Sequence, residues 1–145
     1  YLHFAIQTTP HVQHQAGFSA DSTLGFNRNI GFRAGASFPF QMWDDRRQQA
    51  LDLWQIPMHM MDVSLFRDDT LKLDEATAIE HALGMLKHVA ALGGCLTLNW
   101  HTHLAHIPHM QNVYTAILAE AARLGAWGCS MRDVFAWVNK ITNYN

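Results

Sequence analysis

The sequence predicts an α/β fold in which parallel strands alternate with helices. Three observations lead to it. Apolar, β-prone runs alternate with amphipathic stretches long enough to serve as crossover helices. Glycines and helix-start residues punctuate the joins. Leu96-Thr97-Leu98-Asn99-Trp100, behind Gly93-Gly94, then delivers His101-Thr102-His103 at the carboxyl end of a strand, the place where α/β enzymes keep their chemistry.

The elements follow in order. Thr9-Pro10 is a helix start, with Thr9 as N-cap and Pro10 at the first helical position, and Gly17 closes about two turns. Phe18-Ser19-Ala20 reads as a strand edge. Residues 24–40 carry Gly25, Gly31 and Gly35 among aromatic side chains, the pattern of a strand with an irregular loop. Pro57 introduces a strand over residues 58–65, with Asp62 near its end. Asp74 caps a long helix whose apolar positions Ala78, Ile79, Ala82, Leu83, Leu86, Val89 and Ala90 recur at spacings of three and four, up to Gly93. The His101 strand comes next. Val113, Ile117, Leu118, Ala121 and Leu124 form another amphipathic helix that stops at Gly125, and Ala126-Trp127-Gly128 reads as a last short strand. Ser130-Met131-Arg132-Asp133 resembles a capping box with Asp in place of Glu, opening a final helix through Val134, Phe135, Val138 and Ile141.

This amounts to about four strands and four helices, whereas a complete eight-fold α/β barrel takes roughly 250 residues. The chain therefore reads as the carboxyl-terminal part of a barrel, or as a small open sheet. No repeat, low-complexity tract or linker divides it, so residues 1–145 are read as one domain.

Composition bounds the function. A chain 49% hydrophobic and 15% charged has the balance of a globular protein. A formal charge of −2 and the lack of a basic face give no electrostatic reason to expect nucleic acid or an anionic membrane. No stretch reaches the roughly 18 apolar residues of a membrane span. These features favour a soluble, cytoplasmic setting, although the chain does not begin with Met and a missing leader says little. Cys95 and Cys129 share no metal-ligand spacing and read as buried free thiols. The tryptophans read mostly as core.

Four positions could carry chemistry. His101 combines a strand-end location with a side chain that transfers protons or binds metals near neutral pH. Strand alternation would aim His103 to the same side, so the pair could also hold a metal. Arg33 lies between Gly31 and Gly35, where a guanidinium can pair with and orient a carboxylate; otherwise it is a surface residue on a turn. Asp62, in an apolar run, needs a partner or a solvated mouth, or else braces a loop or caps a helix. Asp44-Asp45-Arg46-Arg47 reads as a salted, exposed turn.

Tyr1-Leu2-His3-Phe4, residues 16–26 (Ala-Gly-Phe-Ser-Ala-Asp-Ser-Thr-Leu-Gly-Phe), Gly31-Phe32-Arg33-Ala34-Gly35 and Phe38-Pro39-Phe40 resemble the later half of polysaccharide deacetylases of the nodulation type. Met60-Met61-Asp62-Val63 and the strand ending in His101 continue the same order. The resemblance implies part of a distorted (β/α) barrel. It also implies hydrolysis of N-acetyl or related amide groups on a carbohydrate, aided by a divalent metal, commonly zinc. Arg33 would match the arginine that orients the catalytic base, Asp62 the aspartate of the motif after it, and His101 the general acid that protonates the leaving amine. The family's paired aspartates and its two histidines spaced four apart have no match here, so the base and the metal ligands would lie upstream. His11 and His14 are three apart and are not promoted to that role.

Two other readings stand beside this one. His101 and His103 could form a metal pair like that of amidohydrolases. The chain could also be a non-catalytic, deacetylase-like domain that holds a glycan or a partner on its aromatic, glycine-rich loops. A half-barrel standing alone would expose an apolar flank, which predicts homo-oligomerisation or poor solubility.

Overall fold

A computed structural model describes residues 3–142 of the chain. It is a mixed α/β structure. Helix α1 (Thr9–Gln15) has Pro10 in its first turn, where a missing N–H costs nothing. Its N-cap is Thr8, not Thr9; the Thr9 hydroxyl instead accepts the Ala5 N–H at 3.0 Å. Gly17 lies past the helix end at φ +82°.

Strands β1 (Ala20–Asp21), β2 (Phe40–Asp44) and β3 (Gln49–Gln55) make a sheet in the order β1-β3-β2. β1 runs parallel to β3, and β2 runs antiparallel to it with a register shift between Gln41 and Trp43. The β2–β3 hairpin was absent from the sequence reading, which assigned only its turn. Met42, Leu51 and Leu53 point inward at alternate positions and pack with Phe4 and Phe40. The turn is held by Asp44, which is buried rather than exposed: its Oδ1 accepts the backbone N–H groups of Arg46 and Arg47 at 2.9 and 3.1 Å.

After Pro57 the expected strand is cut short. β4 covers only Met60–Met61, and helix α2 (Asp62–Phe66) begins at once. A short apolar run suits a buried strand and a buried helix equally, and periodicity cannot separate them. The Asp62 carboxylate decides locally by accepting the Val63 N–H at 2.7 Å. β4 pairs in parallel with β5 (Leu98–Asn99), matching Met60 to Leu98 and Met61 to Asn99.

Between these strands runs α3 (Glu75–Leu92), the helix predicted from Asp74 to Gly93. Asp74 caps it through Oδ1, which accepts the Thr77 N–H at 2.8 Å, and Gly93 ends it at φ +66°. α4 (Pro108–Arg123) starts earlier than its first apolar stripe residue because Pro108 supplies the first turn. Ala78, Ala82 and Leu86 of α3 meet Val113 and Ile117 of α4, with Met60 and Leu65 completing the main core. The alanines let the helices approach closely, and fully burying a side chain the size of Ile117 or Leu65 stabilises by about 1.5–3 kcal/mol. Ser130 and Asp133 form the predicted capping box: the Ser130 N–H donates to Asp133 Oδ2 at 2.9 Å and the Asp133 N–H to Ser130 Oγ at 3.3 Å, opening α5 (Met131–Thr142).

Several expectations are corrected. Residues 126–128 form no strand. Trp54 is buried, but Trp43, Trp127 and Trp137 are exposed, so the tryptophans are not mainly core. Both cysteines are free, yet Cys95 is only half-buried and Cys129 is exposed. Among the described residues the strands form one three-stranded and one two-stranded sheet, and they close no barrel. No described helix is long and apolar enough to cross a membrane.

Candidate functional site

Because β4 and β5 are parallel and in register, the residues just beyond them emerge side by side. These are Asp62, the first residue of α2, and Trp100-His101. Asp62 is fully buried, and an ionised carboxylate there is tolerable only if it is well bonded. It is. Oδ1 accepts the Val63 N–H at 2.7 Å and faces His101 Nδ1 at 2.6 Å, while Oδ2 accepts the His101 backbone N–H at 2.7 Å. Both oxygens are therefore spent on orienting His101 and opening α2.

An ionised carboxylate can only accept, so the proton of the 2.6 Å contact sits on Nδ1. That fixes the tautomer of the neutral ring, in which Nε2 is the acceptor nitrogen. The His101 side chain keeps 21% of its surface exposed, whereas Asp62 keeps none. A buried carboxylate that orients a partly exposed imidazole is an acid–base arrangement, and the carboxylate also stabilises the imidazolium when it forms.

His103 does not extend this pair as strand alternation would require. β5 ends at Asn99, and the chain turns after His101, with the Leu104 N–H donating to the His101 carbonyl at 2.9 Å. The two rings still meet edge to face with centroids 5.6 Å apart. His106 is exposed, and His109, in the first turn of α4, packs its ring on Phe66 at 4.7 Å.

Arg33 lies elsewhere. Gly31 and Gly35 adopt φ +137° and +69°, which frees the loop to turn as its sequence suggested. Arg33 Nη1 donates to the Gly25 carbonyl at 2.9 Å, and the residue lines a recess of about 530 Å³ with Phe4, Phe26, Asn27 and Arg28. Among the described residues, no carboxylate lies within ion-pair distance of Arg33.

The sequence reading missed His59. It is buried, its Nδ1 accepts the Thr97 N–H at 3.1 Å, and its Nε2 faces the Ala36 carbonyl at 3.2 Å, so Nε2 carries the proton. Phe32 meets the ring edge-on at 5.1 Å. Burial pushes its pKa below the ordinary histidine value, with the Ala36 hydrogen bond opposing. A lone polar residue inside Met58-His59-Met60-Met61 was the available signal.

Asp62 has both oxygens committed to N–H donors, and His101 turns Nδ1 to Asp62, so this pair by itself offers a metal at most one imidazole nitrogen. Among the described residues, no three His, Cys, Asp or Glu side chains are grouped to hold an ion. No family model, curated protein or solved structure matches this chain.

Proposed function

We propose that the chain is the carboxyl-terminal part of a deacetylase-type hydrolase that cleaves the C–N bond of N-acetyl or similar acyl groups on a carbohydrate. The observation that carries this reading is the buried Asp62 oriented onto His101 at the ends of adjacent parallel strands. His101, held by Asp62, protonates the leaving amine. That step needs a donor because an amide anion leaves very poorly. Arg33, which has no carboxylate partner among the described residues, is available to orient a base contributed from upstream. A divalent metal, zinc by resemblance, would take its ligands from that same upstream chain. The rest of the distorted (β/α) barrel belongs to the same proposal.

The test uses the chain extended by the residues encoded upstream and measures acetate release from an N-acetylated oligosaccharide. His101→Ala should reduce turnover by about a hundredfold or more, and a chelator should abolish it. Undiminished activity in both experiments would sink the mechanism.

A second reading, a non-catalytic glycan-binding domain, draws on the Phe4 and Phe26 rings beside Asn27 and Arg33 in the recess. Oligosaccharide binding that Phe26→Ala removes, with no acetate released by the extended chain, would favour it. The amidohydrolase-like pair of His101 and His103 lacks a third ligand among the described residues.

A further inference from the structure

A second recess, of about 340 Å³, lies between α1 and the β2–β3 turn and includes none of Arg33, Asp62 and His101. α1 presents His11, His14 and Gln15 to it, at spacings that share one helix face. The turn contributes Asp44, Arg46 and Arg47, and Leu51 completes the lining. In a chain of net charge −2, this places two permanent cations and two imidazoles around one carboxylate.

That carboxylate belongs to the architecture. Asp44 Oδ1 is used by the Arg46 and Arg47 backbone N–H groups, and Oδ2 stands 3.9 Å from His11 Nδ1 and 4.0 Å from Arg47 Nε. Those last distances are too long for hydrogen bonds. The guanidinium and imidazole N–H groups therefore stay unspent on Asp44, and the Arg47 side chain is 73% exposed. A metal is the wrong occupant, because no three-ligand group exists among the described residues.

We propose that this recess binds a phosphate monoester. Two guanidinium forks, two imidazoles and the Gln15 amide offer more donors than the two oxygens of a carboxylate can use, and a tetrahedral dianion can accept from all of them. Asp44 fixes the turn and offsets part of the positive charge beside it. It also lowers affinity for the anion.

The test is calorimetric titration of the whole chain with inorganic phosphate, with vesicles containing phosphatidic acid as a parallel arm. Saturable binding with a dissociation constant of about 1 mM or tighter is expected. The double variant Arg46→Ala/Arg47→Ala should weaken it at least about tenfold (~1.4 kcal/mol). Asp44→Asn should tighten it, since Asn keeps the turn-capping oxygen and removes the charge. Binding of free phosphate assigns the site to a soluble phosphomonoester, and binding of the vesicles alone assigns it to a lipid headgroup. No saturable binding in either arm, affinity unchanged in the double variant, or weaker binding in Asp44→Asn overturns the proposal.

Discussion

Replacing Asp62 by Asn tests whether its carboxylate holds the site together. Three N–H groups converge on two oxygens at 2.6–2.7 Å in a fully buried position. If the amide oxygen takes the place of Oδ1, it keeps Val63 N and His101 Nδ1, and its NH₂ is forced against the His101 backbone N–H. If the amide is flipped, the other two donors lose their acceptor. Either way at least one buried donor is stranded, at about 1–3 kcal/mol, and the surviving bonds lose their charge assistance. The expected total is about 3 kcal/mol, which lowers the melting temperature by roughly 9 °C for a chain of this size. Urea unfolding of Asp62→Asn, His101→Ala and the double variant separates the ring contact from the backbone contacts, with an expected coupling of about 2 kcal/mol. Coupling below about 0.5 kcal/mol would show that Asp62 braces the backbone alone, and would remove the dyad from the functional argument.

Three more outcomes are expected. Burial holds the pKa of His59 below its unfolded value near 6.5, so the unfolded chain takes up the proton first. Stability should then fall as pH drops below about 6.5, by at most about 1.4 kcal/mol per pH unit, until the folded pKa is passed. Urea midpoints across that range should show less of this slope in His59→Gln, whose amide can keep both hydrogen bonds; an identical slope assigns it to other groups. Gly25→Ala would set a Cβ 2.7 Å from Met58 Cε and 2.9 Å from the Met58 carbonyl, and should cost about 1–3 kcal/mol in a denaturant melt. An unaltered melt would mean that the loop shifts freely. Ser130→Ala removes the hydroxyl side of the capping box and should cost about 1 kcal/mol, with fraying of α5 visible as faster amide exchange at residues 131–133.

Helices were legible in the sequence wherever a cap and a stripe coincided. Asp74, the three-and-four spacing and Gly93 bound α3 correctly, and the Ser130 box opens α5. Strands were harder. The β2–β3 hairpin alternates at Met42, Leu51 and Leu53 on either side of a charged turn whose composition predicts exposure, yet Asp44 is buried. The run from Met58 to Leu65 changes from strand to helix at Asp62, because side-chain hydrogen bonding decides what hydrophobicity leaves open. Of the candidate site, Asp62 and His101 were legible as strand-end polar residues and do meet. Arg33 was legible as a loop arginine, but only tertiary structure could show that it lines a different recess. His59 was not legible because its role rests on partners well away in sequence, Ala36 and Thr97.

His59 touches both halves of that divided picture. Its carbonyl accepts the Gly31 N–H at 2.9 Å, its ring faces Ala36, and both its backbone N–H and its Nδ1 engage Thr97 at the approach to β5. The glycine loop bearing Arg33 and the chain leading through β5 to His101 are thus joined at His59, beside the Cys95 N–H bond to the Ser37 carbonyl at 2.7 Å. A ligand that displaced the Arg33 loop would therefore strain bonds that also position the backbone before His101. A local opening at His59 loosens both ends, and the Thr97 amide is the proton whose exchange with solvent would record it.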